Sequence, residues 1–217
     1  MGKLKTSPPV LIMLFGYPGA GKTHFASELS KAMEAAHVQG DRIRSELFEQ
    51  PQYTKQEDDI VAHLMEYMAE EFLNAGVSVI FDTNATRLVQ RRTLRDVARK
   101  AKAKSFIVWL QTDQDSAMAR IAGRDRRRND DKFARPYTKE AFKLIVGSMQ
   151  KPQNEDYVVI SGKHTFAMQR NAIVKKLYDL GAISTNTAAN SVAKPGLVNL
   201  VPTAGRVDPS RRNVIIR

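Results

Sequence analysis

Residues 16–23 constrain this chain more than any other segment, because their sequence GYPGAGKT fits the pattern GxxxxGK followed by Ser or Thr without a mismatch. The apolar run at residues 10–15 leads directly into the segment and predicts a buried strand. Beyond it, Phe25, Leu29 and Met33 recur every four residues, which is the spacing of one apolar helix face. The sequence therefore predicts a strand, a glycine-rich loop and a helix in succession.

Two interpretations of this loop are open: an ordinary glycine-rich turn before a helix, or a loop that binds phosphate. The second is favoured because strand, loop and helix occur together. Glycines let the backbone curl until its N–H groups point at phosphate oxygens, and the helix N-terminus adds favourable partial charge. Lys22 would then reach the β- and γ-phosphates of a nucleotide, and the Thr23 hydroxyl would hold Mg²⁺. The predicted nucleotide-binding residues here are Gly16, Tyr17, Pro18, Gly19, Ala20, Gly21, Lys22, Thr23 and His24.

Length and composition limit the possible classes of protein. The chain has 217 residues, enough for one α/β domain with a substantial core and a tail. It contains no cysteine, which excludes disulfides and thiolate sites and fits a reducing compartment. We recognise neither a signal peptide nor a transmembrane helix, so we expect a cytoplasmic protein without a membrane partner. The net charge of +11 favours polyanionic partners, although a nucleotide enzyme also needs positive charge.

The rest of the chain alternates predicted strands with predicted helices. Crossovers of this length suit right-handed connections, so we expect an α/β fold in which a five-stranded parallel sheet lies between two helix layers. Besides the strand at residues 10–15, the apolar runs predict strands at residues 36–39, 77–81, 105–110 and 157–160.

The predicted domain comprises residues 1–182 and contains a basic lid at about residues 123–136. The lid is rich in arginine and poor in apolar residues. Residues 183–217 lack an amphipathic period and are dominated by small and polar residues, so we expect them to form a disordered basic tail.

Polar residues follow two predicted strands at their carboxyl ends, where ligands sit in open parallel sheets. Asp41 follows the second strand and occupies the position of a helix cap, with Arg44 one turn further along. Asp82 and Asn84 follow the third strand. The next helix has a basic side that includes Arg91; its ordinary interpretation is a solvated face, and its beginning is the part that can touch a substrate.

Together these residues resemble small P-loop kinases. The resemblance rests on the phosphate loop, on Asp41 and Arg44, on residues 82–84 after the third strand, and on residues 120–124 before the lid. It is closest to the group of polynucleotide kinase and zeta toxin, often described as AAA-type kinases, and extends over about residues 8–181. It implies the three-layer fold of P-loop NTPases, ATP and Mg²⁺ as cofactors, and an enzyme that phosphorylates a hydroxyl.

On the acceptor side, the resemblance implies that Asp41 accepts the proton of the attacking hydroxyl, a role that capping the helix does not exclude. Arg44 resembles the arginine that orients the acceptor; the alternative is a surface ion pair with Glu46 or Asp82. Asp82 would hold either Arg44 or a water on Mg²⁺, and it sits where a Walker-B carboxylate could. The other candidate acceptor contacts are Asn84 and Arg91.

On the donor side, Arg120 and Arg124 resemble the arginines at the edge of the lid in adenylate-kinase-like enzymes. The resemblance implies that Arg120 lies over the adenine and that Arg124 grips the transferring phosphate, and a planar guanidinium suits both roles. The predicted catalytic residues are Lys22, Asp41 and Arg124.

The resulting prediction is a kinase that transfers the γ-phosphoryl group of ATP to a hydroxyl. The acceptor is the 5′-hydroxyl of a polynucleotide or a small molecule such as a nucleotide-sugar or nucleoside. The alternative is an ATP-hydrolysing switch that binds nucleic acid, but such ATPases usually carry a glutamate after the strand aspartate, and here Thr83 follows Asp82. A non-catalytic nucleotide-binding module would lack Asp41 or Arg124, and both are present.

Overall fold

Five parallel strands form the sheet of the computed structural model, which describes residues 3–83, 85–125 and 132–191. The strands are β1 (Val10–Phe15), β2 (Ala35–Gln39), β3 (Ser78–Asp82), β4 (Lys104–Gln111) and β5 (Tyr157–Ser161). The helices in these ranges are α1 (Lys22–Ala32), α2 (Gly40–Leu47), α3 (Lys55–Asn74), α4 (Leu88–Lys100), α5 (Gln114–Ala122), α6 (Lys139–Ser148), α7 (Phe166–Asp179) and α8 (Thr185–Ser191). None of them is long and apolar enough to cross a bilayer.

The strand order is β2-β3-β1-β4-β5, so the strand that enters the glycine-rich loop is central. Every residue of β1 is buried, as expected for a parallel strand covered on both faces. Its alternate residues belong to two different cores. Ile12 packs in one core with Phe25 of α1 and Ile173 of α7. Met13 packs in the other core with Met65 of α3 and Leu94 of α4. The predicted sheet between two helix layers is therefore confirmed.

The start of α2 differs from the prediction. The helix begins at Gly40, and its N-cap residue is Gln39, whose side chain makes no capping hydrogen bond. Asp41 lies in the first turn instead of capping the helix. The helix-cap interpretation of Asp41 is therefore wrong, and its carboxylate has other contacts, described below.

The predicted tail begins too early. Ala182 and Ile183 are buried and complete the core beneath α7, and α8 follows them directly. The hydroxyl of Ser184 accepts a hydrogen bond from the N–H of Thr187 (3.3 Å), which stabilises the start of α8. Residues 183–191 are thus ordered against the domain, while the rest of the predicted tail, residues 192–217, lies outside the described residues.

Arg91 on α4 is a core residue. It is 1% exposed, and its guanidinium donates hydrogen bonds to the carbonyl of Ala85 (2.9 Å) and to the carboxylate of Glu155 (2.8 Å). The guanidinium also lies 5.6 Å from the centroid of the Phe15 ring. Burial by itself would raise the pKa of Glu155, but hydrogen bonds from Arg91 and Arg95 hold that pKa below its ordinary value. The prediction that Arg91 contacts a substrate is corrected accordingly.

We expect Arg91→Ala to lower the free energy of unfolding by about 3 kcal/mol, because it leaves the buried carboxylate of Glu155 with only Arg95. Arg99→Ala is the matched control, since Arg99 lies on the same helix with its side chain 78% exposed. Arg99→Ala should lower the free energy of unfolding by less than about 0.5 kcal/mol. Urea unfolding measures both values, and equal stability of the two variants would contradict the structural role of Arg91.

Candidate active site

The glycine-rich loop lies at the carboxyl end of β1, and three of its glycines are required by its geometry. Gly16, Gly19 and Gly21 have positive φ angles of 149°, 80° and 96°. A Cβ atom on Gly19 would lie 2.3 Å from the carbonyl oxygen of Ala117, and one on Gly16 would lie 2.5 Å from that of Leu110. The loop is therefore packed tightly over the ends of β4 and α5, in a conformation that only glycine tolerates at these positions.

The other loop residues lie around the start of α1. Pro18 and Ala20 are buried, the half-buried Tyr17 ring lies 6.2 Å from that of Phe142, and His24 is exposed in the first turn of the helix. Gly21 is the N-cap residue of α1. The loop thus presents a helix N-terminus at the edge of the sheet, which is a favourable place for an anion.

Lys22 folds back over the loop. Its Nζ donates hydrogen bonds to the carbonyls of Gly16 and Tyr17, both at 2.9 Å. Loss of hydration lowers the pKa of Lys22 from 10.5 to about 8. The charges of Asp82 and Asp41 oppose this effect, and that of Arg124 adds to it. A bound anion would therefore raise the pKa of Lys22 and stabilise its charged form further.

Asp82 joins the loop to the neighbouring strands. Its Oδ1 accepts a hydrogen bond from the hydroxyl of Thr23 (3.3 Å), and its Oδ2 lies 2.9 Å from Nε2 of His37 on β2. Asp82 is 6% exposed and contacts Thr23 and His37 rather than Arg44. The hydroxyl and carboxylate oxygens of Thr23 and Asp82 are the donors that Mg²⁺ prefers, so this pair fits the metal.

Asp41 lies at the other side of the loop, in the first turn of α2. Its Oδ2 accepts a hydrogen bond from the backbone N–H of Arg135, at 3.4 Å. Burial raises the pKa of Asp41, and the charge of Asp82 raises it further, against the hydrogen bond from Arg135. A carboxylate with a raised pKa at the end of a parallel strand is a candidate proton acceptor.

Arg44 is 6% exposed, and its guanidinium forms ion pairs with carboxylates of α3. It donates to Glu57 Oε2 at 2.9 Å and to Asp58, and it lies 5.2 Å from the centroid of the Tyr53 ring. The expected alternative of an ion pair with Glu46 or Asp82 is wrong. These contacts use one N–H of each terminal nitrogen, and Nε of Arg44 is buried without a hydrogen-bond partner among the described residues.

Arg120 lies in the last turn of α5, and Arg124 follows the end of this helix. Arg120 donates hydrogen bonds to the carbonyls of Ala20 (3.4 Å) and Gly162 (3.1 Å), so it flanks the start of α1. Arg124 donates to the carbonyl of Arg135 (3.0 Å), and its charge acts on Lys22. The roles predicted for Arg120 and Arg124 on the donor side therefore stay predictions.

Sequence analysis missed a cluster beside Asp41. The guanidinium of Arg135 lies between two tyrosine rings, 4.7 Å from the centroid of Tyr53 and 5.6 Å from that of Tyr137. Burial and the charge of Asp41 raise the pKa of Tyr137 to about 12. The proline-tyrosine step before α6 was the available signal, but nothing local in the sequence connects it to Asp41.

Two predicted parts of the site lie outside the described residues. They are Asn84 and residues 126–131 of the basic lid. Within the described ranges, the structure brings together Lys22, Thr23, Asp82, Asp41 and Arg124 around the loop, places Arg120 at its flank, and places Arg91 in the core.

The sequence matches the model of the family described as an AAA domain over residues 11–152. Since this match spans more than half of the 217 residues, the chain belongs to that family. None of the curated protein sequences matches the chain significantly.

Solved structures with the same architecture include kinases and proteins with bound nucleotides. APS kinase CysC of Mycobacterium tuberculosis, in complex with AMPPNP and APS, has a TM-score of 0.59 at 18% identity and covers 79% of this chain and 98% of its own. Kti12 of Chaetomium thermophilum, in complex with ADP-AlF3, has a TM-score of 0.61 at 17% identity, with coverages of 81% and 100%. A gluconokinase from Sinorhizobium meliloti 1021 has a TM-score of 0.55 at 17% identity, with coverages of 80% and 93%. The fold is thus the kinase-type P-loop NTPase fold.

Proposed function

We propose that this protein is a kinase that transfers the γ-phosphoryl group of ATP to a hydroxyl of an acceptor. One observation carries the proposal: the charges of Asp82, Arg124 and Asp41 all act on Lys22 at the glycine-rich loop. Catalysis of phosphoryl transfer requires mainly that the protein position the reactants and stabilise the charge on the transferring group. A lysine, an arginine and two carboxylates that converge on a phosphate-binding loop supply both.

On the donor side, the loop N–H groups and Lys22 bind the phosphates. Lys22 exchanges its two carbonyl partners in the loop for phosphate oxygens. Arg120 lies against the adenine; its hydrogen bonds to the carbonyls of Ala20 and Gly162, beside the start of α1, support this role. Thr23 and Asp82 would hold Mg²⁺, which compensates the negative charge of the phosphates.

On the acceptor side, Asp41 accepts the proton of the attacking hydroxyl. Its raised pKa brings the carboxylate nearer to the working pH, which favours proton transfer in the transition state. Arg124, which follows the end of α5, stabilises charge on the phosphoryl group during transfer. The two residues therefore act on different partners of the same reaction.

The acceptor belongs to one of two classes. The resemblance of the sequence to the polynucleotide-kinase and zeta-toxin group, together with the net charge of +11, supports a polynucleotide 5′-hydroxyl or a nucleotide-like molecule. Structural neighbours named as an APS kinase and a gluconokinase support a small-molecule acceptor. The experiment that decides is transfer of labelled γ-phosphate from ATP to a panel of oligonucleotides, nucleosides, nucleotide-sugars and sugar acids. A labelled product establishes the reaction and the acceptor class together, and its absence with every acceptor would overturn the proposal.

A second candidate function is an ATP-hydrolysing switch, which the match to an AAA domain favours. Such ATPases usually place a glutamate after the strand aspartate to activate water. Asp82 is followed by Thr83, and the carboxylate nearest the loop on the acceptor side is Asp41. We therefore rank hydrolysis below transfer.

We expect nucleotide affinity to weaken as the pH rises above about 8. The pKa of Lys22 is about 8 in the empty protein, and bound phosphates favour the charged lysine. The affinity is therefore fully present below that pKa and falls by up to about tenfold per pH unit above it. Calorimetry with a non-hydrolysable ATP analogue and Mg²⁺ measures the effect. Lys22→Arg stays charged and should remove the inflection, whereas a pH-independent affinity of the unsubstituted protein would exclude Lys22 from phosphate binding.

A further inference from the structure

Arg135 lies where the chain leaves the basic lid and approaches α6, and it is the meeting point of three parts of the site. Its backbone contacts Asp41 of α2 and Arg124, which follows the end of α5, and its side chain contacts Tyr53 in the segment between α2 and α3. The sequence gives it no motif, since it is one of several arginines in the lid.

The backbone of Arg135 touches both proposed catalytic groups. Its N–H donates to Oδ2 of Asp41 at 3.4 Å, and its carbonyl accepts from Nη1 of Arg124 at 3.0 Å. Asp41 lies 94 positions away in the sequence and Arg124 lies 11 positions away. One residue thus connects the group assigned to the acceptor with the group assigned to the donor.

The side chain of Arg135 fixes where that backbone lies. Its guanidinium is held between the rings of Tyr53 and Tyr137, and its Nη1 lies 3.7 Å from Oδ1 of Asp58. Asp58 also accepts a hydrogen bond from the buried Arg44. Cation–π contacts with two rings, together with the carboxylate of Asp58, restrict the position of the guanidinium.

This clamp is itself anchored in the core. Tyr53 has a positive φ of 55°, and its N–H donates to Oε2 of Glu57 at 2.7 Å. Glu57 is 8% exposed and also pairs with Arg44. A tyrosine with positive φ persists only where its surroundings hold it, so the clamp is a rigid support rather than a chance surface contact.

We propose that Arg135 is a positioning residue that sets the distance between Asp41 and Arg124. This inference rests on the proposed function and adds a residue to it. When the side chain is clamped, the carboxylate and the guanidinium are held by the same backbone segment. When the clamp is removed, both lose their common support, and a displacement of about 1 Å in such a site can lower a rate about 10²-fold.

The kinetic test compares Arg135→Ala with Arg99→Ala, an exposed arginine on α4. We expect Arg135→Ala to lower kcat for transfer by about 10–100-fold with the KM for ATP unchanged within about twofold, because Arg135 acts through other residues. In a protein that already carries Asp41→Asn, the fold-loss of kcat caused by Arg135→Ala should be at least about threefold smaller than in the unsubstituted protein. Arg135 acts partly through Asp41, and that part of its effect is already lost. An unchanged kcat of Arg135→Ala would overturn the inference, and so would a double variant whose loss equals the product of the two single losses. A raised kcat would also overturn it and would mean that Arg135 only covers Asp41.

A second measurement needs no activity. Hydrogen exchange of a peptide covering residues 132–138 should be faster in Asp41→Ala and in Arg135→Ala than in the unsubstituted protein, and unchanged in Arg99→Ala. Exchange at the unsubstituted rate in both variants would show that the bridge is not formed in solution. If the unsubstituted protein transfers phosphate to no acceptor, the proposed function fails, and the exchange rates still decide whether Arg135 holds Asp41.

Discussion

Lys22→Ala is expected to lower γ-phosphoryl transfer by about 10²–10³-fold or more while the protein stays folded, because a charged group aimed at the transferring phosphate is removed. The ammonium of Lys22 contacts two loop carbonyls and contributes nothing to either apolar core. Its removal therefore affects the reaction rather than the fold. Steady-state transfer at saturating ATP measures the loss, and circular dichroism with thermal unfolding checks the fold.

Lys31→Ala is the matched control for this prediction. Lys31 lies on the same helix, and its 69% exposed side chain pairs with Glu28 at the surface. We expect its transfer rate to stay within about twofold of that of the unsubstituted protein, as for an ordinary surface substitution. Turnover of Lys22→Ala equal to that of this control would remove the phosphate loop from the mechanism.

Asp41→Asn should keep the affinity for Mg·ATP but lower transfer by about 10²–10⁴-fold, the usual contribution of a positioned proton acceptor. The structure makes this substitution a clean test. Gln39, not Asp41, is the N-cap residue of α2, so no helix cap is lost. Asparagine also keeps a side-chain oxygen that can accept the hydrogen bond from the N–H of Arg135. The main change is the loss of the carboxylate charge.

Arg124→Ala is the counterpart of that test on the donor side. It should slow both transfer and background hydrolysis, because charge on the moving phosphoryl group needs stabilisation in either reaction. Asp41→Asn should affect hydrolysis much less, since water replaces the acceptor there. Transfer and hydrolysis measured in both variants give a two-by-two pattern. Equal losses in all four measurements would mean that Asp41 supports the site without accepting a proton.

The architecture was predictable because its signals are local. A fully apolar run before the glycine-rich pattern identifies β1, and the recurrence of Phe25, Leu29 and Met33 every four residues identifies α1. Helix α6 also begins by a local rule, because Thr138 is its N-cap residue and the Thr138 hydroxyl accepts a hydrogen bond from the N–H of Ala141. The short α8 was missed because seven small and polar residues carry no amphipathic period.

The partners of the charged residues were not predictable from sequence. Arg91 and Arg44 occur in basic or mixed segments that normally face solvent, and their burial depends on carboxylates 64 and 13 positions away. Similarly, the approach of Arg135 to Asp41 depends on how the lid returns to α6. A single sequence shows which residues carry charge, but the tertiary fold decides which charges are compensated in the core and which converge on the site.

The most direct test of the kinase account is the distribution of label from γ-labelled ATP between acceptor and inorganic phosphate. The account predicts that, with the acceptor identified in the panel present at saturation, most of the label enters the acceptor. It also predicts that Asp41→Asn shifts the balance toward inorganic phosphate, because the step that uses the acceptor hydroxyl is the one impaired. Label released only as inorganic phosphate by the unsubstituted protein, at a rate that no acceptor changes, would contradict it and identify an ATP-hydrolysing switch.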